Sequence, residues 1–101
     1  MTYKMLLVDD EPIILRGLRL TIPWETINVE VIDIAQDGEE AIEKIKEHGN
    51  IEIVITDVKM TKVDGLQLAN FLYNHFPHIR TIYSYHHFKW LLMNLSMPNK
   101  Q

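Results

Sequence analysis

The chain has 101 residues, of which 47% are hydrophobic and 24% charged, a composition typical of one globular domain rather than of a disordered segment. With 10 Lys and Arg against 14 Asp and Glu its formal charge is -4, so direct binding to nucleic acid is not expected. The lack of cysteine excludes a disulfide framework, a thiolate zinc site and a thiol nucleophile. No apolar run approaches the roughly 20 residues of a membrane span, and the first residues do not resemble a signal peptide, so a cytoplasmic domain without membrane contact is expected.

The first half of the chain alternates between strand and helix patterns. Residues 5–8 form a short apolar run, typical of a strand buried on both faces. From Pro12 the spacing changes to that of a helix, which ends at Pro23. The apolar stripe of this helix is predicted to consist of Ile13, Ile14, Leu18 and Ile22. Residues 29–35 alternate and are rich in β-branched side chains, which predicts a second strand.

The second half continues the alternation. Asp37-Gly38 predicts a turn, residues 39–48 a helix, and Gly49 a left-handed cap that closes it. The remaining elements are predicted as a strand at residues 51–56, a helix at 66–76 and a strand at 79–84. Strands separated by single helices indicate right-handed βαβ units, so the predicted fold is α/β, a doubly wound parallel sheet between two helix layers.

Three aspartates follow predicted strands. Asp9 and Asp10 come after the first strand and Asp57 after the third. Because parallel strands end at the same edge of a sheet, these carboxylates are expected to lie together, and oxygen ligands of this kind suit Mg²⁺. A carboxylate beside a metal can attack phosphorus and form an acyl phosphate. The alternative is that these aspartates only cap turns or helices, and the geometry alone does not identify a nucleophile.

Four segments together resemble the receiver domains of two-component response regulators. They are Leu-Leu-Val-Asp-Asp-Glu-Pro at 6–12, Ala-Gln-Asp-Gly-Glu-Glu-Ala at 35–41, Ile-Thr-Asp-Val-Lys-Met at 55–60 and Asp-Gly-Leu at 64–66. The resemblance covers about residues 3–82, and residues 76–79 are similar to receivers that precede an AraC-type DNA-binding region. It implies the CheY-like, flavodoxin-like arrangement of the α/β fold.

The resemblance also implies roles for individual residues. Asp57 would accept a phosphoryl group from a sensor histidine kinase, and Mg²⁺ would be held by Asp9, Asp10, Asp57 and the backbone carbonyl of Lys59. Ser84 is the best match to the hydroxyl residue that contacts the phosphoryl oxygen, although a shift of one residue would turn it to the other face of the sheet. The protein would then be a signalling switch in transcription, with self-phosphorylation and dephosphorylation as its only chemistry, and not an enzyme.

The chain departs from the family pattern near its end. The family's lysine on the fifth strand has no counterpart that we assign, so residues 1–84 are predicted to form a receiver that lacks the fifth βα unit. Residues 85–101 are predicted to form a divergent, apolar, helical tail that packs on the same domain or on a second chain, which makes self-association expected. The DNA-binding output region would be absent.

Two other functions fit the sequence less well. The first is a truncated receiver that acts as a phosphorylation-independent interaction or dimerisation module. The second is a Mg²⁺-dependent phosphohydrolase that uses Asp57 as a turnover nucleophile. Such an enzyme would need an acid two residues after the nucleophile, where this chain has Lys59.

Overall fold

The fold is a parallel sheet with helices on both faces. The computed structural model of the protein describes residues 1–60 and 62–84. In this part of the chain four strands form one sheet in the order β2-β1-β3-β4. The predicted α/β class is therefore confirmed. The predictions of a missing fifth βα unit and of a helical tail concern residues 85–101, which lie outside the described residues.

The strands and helices follow the predicted order. The strands are β1 (Tyr3–Val8), β2 (Val29–Ala35), β3 (Ile53–Asp57) and β4 (Arg80–Ser84). The helices are α1 (Pro12–Thr21), α2 (Gly38–His48) and α3 (Gly65–His75), with a short 3₁₀ turn at Trp24–Ile27 that the sequence did not predict. None of the described helices is long and apolar enough to cross a bilayer.

The central strand β1 contributes to two separate apolar clusters. Leu6 and Val8 pack with residues of α2 and α3, whereas Met5 and Leu7 pack with α1 on the opposite face. All four side chains are buried, since successive residues of a strand point to opposite faces and both faces are covered by helices. The expectation of a strand buried on both sides is thus confirmed.

Helix α1 buries part of the predicted stripe, since Ile14 and Leu18 are buried and Ile22 packs partly buried against the same cluster. Ile14, Leu15 and Leu18 are buried, whereas Ile13 is 71% exposed. The buried residues lie within one side of the helix, because positions four apart are neighbours and Leu15 lies between them along the turn. Ile13 lies on the opposite side of the helix and faces away from the sheet.

Two aspartates begin the other two helices. The side chain of Asp37 accepts a hydrogen bond from the Glu40 amide at 2.8 Å, so Gly38 is the first helical residue rather than part of a turn. Asp64 and Gln67 form a reciprocal capping box, with both hydrogen bonds at 2.9 Å. These caps fix where α2 and α3 start, directly beside the ends of the strands.

Strand β2 is an edge of the described sheet, and side chains form hydrogen bonds with part of the backbone on its outer side. The Asp9 amide donates to the carbonyl oxygen of Ala35, so the neighbouring Ile34 directs its backbone groups away from β1. The Ile34 amide donates to Asp33 Oδ1 at 2.8 Å, and Lys44 Nζ of α2 donates to the Ile34 carbonyl oxygen at 2.9 Å. Two side chains therefore occupy the edge at Ile34.

These side chains form a charged network. Lys44 Nζ lies 3.0 Å from Asp33 Oδ1, and His48 Nε2 lies 2.9 Å from Asp33 Oδ2. Burial raises the pKa of Asp33, but the hydrogen bonds from His48, the Ile34 amide and Lys44 outweigh it. With the Lys44 charge, they hold this pKa at about 2, below the ordinary 3.8. Burial lowers the pKa of Lys44, but the hydrogen bond and charge of Asp33, together with Glu40, raise it above the ordinary 10.5.

The network predicts an acid-dependent contribution to stability. Asp33→Asn should lower the free energy of unfolding by about 1 kcal/mol near neutral pH, because both partners are partly exposed. The folded-state pKa of Asp33 is depressed, so this stabilisation is present above pH 3.8 and is lost as the pH falls through about 2. Urea unfolding of both proteins at about pH 6 and about pH 2.5 should show a difference that shrinks at the lower pH.

A more exposed ion pair between β1 and β2 provides the control. Lys4 and Glu30 lie 2.7 Å apart, with side chains 34% and 54% exposed. Glu30→Gln should change the free energy of unfolding by less than about 0.5 kcal/mol at either pH. A difference between wild type and Asp33→Asn that is equal at both pH values would contradict the charge interaction.

Candidate functional site

The three predicted aspartates meet where two adjacent strands end. Strands β1 and β3 pair in parallel with Val8 opposite Thr56, so Asp9 and Asp57 are the next residues on neighbouring strands. Carboxylate oxygens of Asp9, Asp10 and Asp57 all lie within 4.8 Å of one another. Residues far apart in sequence are thus brought together by the parallel topology, as the strand order leads one to expect.

Backbone amides orient two of these carboxylates. The Glu11 amide donates to Asp9 Oδ1 at 2.9 Å, and the Val58 amide donates to Asp57 Oδ1 at 2.9 Å. Asp9 is buried, with 1% of its surface exposed, whereas Asp10 and Asp57 are half-buried. The site is therefore open toward solvent on the side of Asp10 and Asp57.

The chemistry of the three side chains fits a magnesium ion. Three carboxylates within 4.8 Å of one another repel, and a divalent cation between them would offset that repulsion. The donor atoms are all carboxylate oxygens, which suit Mg²⁺ better than zinc or copper. These three residues would therefore accommodate the Mg²⁺ ion that the resemblance to receiver domains implies.

Strand β4 brings Ser84 to the same edge of the sheet. Ser84 pairs with Asp57 across the β3–β4 ladder and is buried. Paired residues on adjacent strands point to the same face of a sheet, so Ser84 shares the face of Asp57, whereas Tyr83 pairs with Thr56 and shares the other. Lys59 lies two residues beyond the end of β3, with an exposed side chain.

A glycine allows the backbone next to Asp57 to pack closely. A Cβ atom added at Gly65 would overlap the carbonyl oxygen of Asp57. The Gly65 amide donates to the Val58 carbonyl oxygen at 2.8 Å, and Thr56 Oγ1 donates to the Asp57 carbonyl oxygen at 2.9 Å. The two peptide groups that follow Asp57 are therefore held in place.

A second group of metal-ligand types lies elsewhere, on β2 and α2. Side-chain atoms of Asp33, Glu47 and His48 lie within 4.8 Å of one another. Asp33 is already engaged by Lys44, so this group is part of the charged network described above. The sequence pattern did not predict this network, although Asp33 is a charged residue within an apolar, alternating strand.

Comparison with known proteins agrees with this geometry. The sequence model of the response regulator receiver domain matches residues 5–88. The chain belongs to the response regulator receiver domain family. The resemblance noted in the sequence is thereby confirmed, and the chain is the receiver domain of a response regulator.

Individual relatives include a transcriptional regulatory protein and the receiver domain of a response regulator. An uncharacterized transcriptional regulatory protein of Bacillus subtilis, YesN, is 54% identical over 66 residues, which is 65% of this chain and 18% of YesN. The receiver domain of AraT from Geobacillus stearothermophilus is similar in structure, with a TM-score of 0.76 at 36% identity over 84% of this chain and 65% of that one. The chain thus spans about a fifth of the length of YesN.

A third relative comes from a complex. CheY of Borrelia burgdorferi, in a crystal structure of CheX, CheY, BeF₃ and Mg²⁺, superposes with a TM-score of 0.72 at 32% identity. The match covers 82% of this chain and 61% of that one.

Proposed function

We propose that this receiver domain takes a phosphoryl group from a cytoplasmic sensor histidine kinase onto Asp57, with Mg²⁺ bound by Asp9, Asp10, Asp57 and the carbonyl of Lys59. The phosphorylated domain acts as a switch in the control of transcription. The observation that carries this proposal is the convergence of three carboxylates within 4.8 Å at the ends of β1 and β3.

The chemistry assigned to the chain is one displacement at phosphorus. An Asp57 carboxylate oxygen forms a bond to phosphorus as the bond from phosphorus to the kinase histidine nitrogen breaks, and the electron pair leaves with the imidazole. The product is an acyl phosphate. Mg²⁺, when bound, supplies positive charge that neutralises the phosphoryl oxygens.

Other residues of the chain prepare this step. The Val58 amide holds Asp57 Oδ1 at 2.9 Å, which orients the carboxylate before the donor arrives. Ser84 shares the face of Asp57 and would donate its hydroxyl hydrogen to a phosphoryl oxygen. This hydrogen bond would be lost when the phosphoryl group leaves. The position of Ser84, at the end of β4, would then depend on whether Asp57 is phosphorylated.

Relatives support the partners without defining them. The Borrelia structure pairs its CheY with Mg²⁺ and BeF₃, and YesN bears a transcriptional name.

A groove with exposed leucine and tyrosine side chains supports the alternative, a phosphorylation-independent interaction module. The groove has a volume of about 450 Å³ and lies between α3 and β4. Leu66, Tyr73 and Tyr83 line it and are 57%, 79% and 42% exposed. Exposed apolar surface of this kind is typical of association sites, and a second copy of the chain is the occupant we propose.

The test is intact-mass spectrometry of the 101-residue protein after incubation with acetyl phosphate, with and without Mg²⁺. We expect one phosphoryl adduct that requires Mg²⁺. A folded protein that gains no adduct but associates with increasing concentration in sedimentation experiments would favour the interaction module. Continuous release of phosphate over many turnovers would instead favour a phosphohydrolase.

A further inference from the structure

The first residue of α2 forms hydrogen bonds with the segment that precedes α3. A helix leaves its first backbone amides without intrahelical partners, and Gly38 carries one of them. The Gly38 amide donates to the carbonyl oxygen of Val63 at 3.0 Å and to that of Lys62 at 3.1 Å. The start of α2 and the backbone just before α3 are therefore held together directly.

Only glycine permits this approach. A Cβ atom added at Gly38 would overlap the Val63 carbonyl oxygen and lie 2.6 Å from Val63 Cγ1. Gly38 is buried, so an added methyl group could be accommodated only if the Gly38 and Val63 backbones moved apart. The close packing of two backbones is thus a property of this position and not of the helix in general.

Val63 has a backbone conformation that needs support. Its φ is +41°, a value that β-branched residues rarely adopt. Such conformations persist where the surroundings hold them. The Gly38 amide holds the Val63 carbonyl, and the Val63 side chain packs against the apolar cluster of α2 and α3.

From Val63 a short series of contacts leads to Asp57. Two residues later the Gly65 amide donates to the Val58 carbonyl oxygen at 2.8 Å. The Val58 amide in turn donates to Asp57 Oδ1 at 2.9 Å. A displacement of Val63 would therefore be passed through Gly65 and Val58 to the carboxylate.

We propose that Gly38 is a positioning residue for Asp57: its contact with Val63 fixes the backbone that orients the acceptor carboxylate. The inference rests on the proposed role of Asp57 as phosphoryl acceptor. It also makes the start of α2 sensitive to changes at the phosphorylation site, because the same contacts connect the two in both directions.

The experiment compares two glycine-to-alanine variants at opposite ends of α2. Gly38→Ala places a methyl group against Val63. Gly49→Ala is the matched control, because Gly49 has a φ of +74° with nothing within 4 Å of an added Cβ, so the change strains the backbone far from the site. For each protein we would measure the melting temperature, the Mg²⁺ affinity by calorimetry, the rate of phosphoryl uptake and the amide resonances of Val58 and Gly65.

Both variants should lower the melting temperature, but only one should affect the site. Gly38→Ala should slow phosphoryl uptake by at least about tenfold, weaken Mg²⁺ binding severalfold and shift the Val58 and Gly65 amide resonances. Gly49→Ala should leave these three measurements at wild-type values. If Gly38→Ala does not fold, Val63→Gly is the second variant, since glycine is not confined to one conformation, and uptake should fall by about threefold.

The outcomes separate this inference from the proposed function. Unchanged Val58 and Gly65 resonances in folded Gly38→Ala or Val63→Gly protein would overturn the positioning role. Equal effects of Gly38→Ala and Gly49→Ala on the site would also overturn it, since the role would then be only structural. If wild-type protein takes up no phosphoryl group, the proposed function fails, while the amide resonances and Mg²⁺ affinity still decide whether Gly38 positions Asp57.

Discussion

Asp57→Asn should abolish the phosphoryl adduct that acetyl phosphate gives with wild-type protein. An amide oxygen is a poor nucleophile, because its lone pair is delocalised and the side chain carries no negative charge. Asparagine can still accept the hydrogen bond that the Val58 amide gives to Oδ1, so the fold around β3 should be preserved. The loss of the adduct would therefore reflect chemistry and not unfolding, and intact-mass spectrometry measures it.

Asp64→Asn is the matched control for this substitution. Asp64 caps α3 close to the site, and asparagine is about as good a capping residue as aspartate, so the same charge is removed without loss of the cap. This variant should take up a phosphoryl group at close to the wild-type rate. An adduct that persists in folded Asp57→Asn protein would place the acceptor on another residue, with Asp9 and Asp10 as the first to examine.

Asp10→Asn should weaken Mg²⁺ binding at least tenfold. The same substitution should stabilise the metal-free protein. The substitution removes one of three carboxylates whose oxygens lie within 4.8 Å of one another. Fewer charged ligands reduce the affinity for Mg²⁺, while relief of the repulsion should raise the free energy of unfolding by about 1 kcal/mol. Calorimetric titration with Mg²⁺ and urea unfolding in the presence of a chelator measure the two effects.

Asp37→Asn separates this effect from a general change of charge. Asp37 caps α2 and does not belong to the group of three carboxylates. Its replacement should leave both Mg²⁺ affinity and stability nearly unchanged. Equal Mg²⁺ affinities of wild-type and Asp10→Asn protein would contradict the proposed metal site.

Much of the fold could be predicted, because the spacing of apolar residues identifies the strands and helices and their order along the chain indicates a parallel sheet. Strand β2 was predicted with the bounds that the structure has, Val29–Ala35, since β-branched alternation is a strong local signal. Strand β3 begins two residues later than predicted, at Ile53. Ile51 is buried and apolar but lies before the paired register, and pairing is set by the neighbouring strand rather than by hydrophobicity.

The convergence of the aspartates could also be predicted, because it follows from topology alone. The side-chain and loop contacts could not. The contact of Gly38 with Val63 joins the start of α2 to the segment before α3 through backbone atoms, which leave no pattern in the side chains. The engagement of Asp33 by Lys44 depends on how α2 lies across β2, which spacing along one helix does not specify.

The side chains at the edge of β2 hinder the addition of a further strand on that side of the sheet. With Asp33 and Lys44 occupying the outward groups of Ile34, an incoming strand would have to displace a charged pair before it could bond there. Among the described strands, the other border is β4. Pairing of two β4 edges would be self-complementary and would close after two chains. Pairing of β4 in one chain with β2 in the next would instead propagate into a fibre. The charged pair at the edge of β2 therefore disfavours such open polymers.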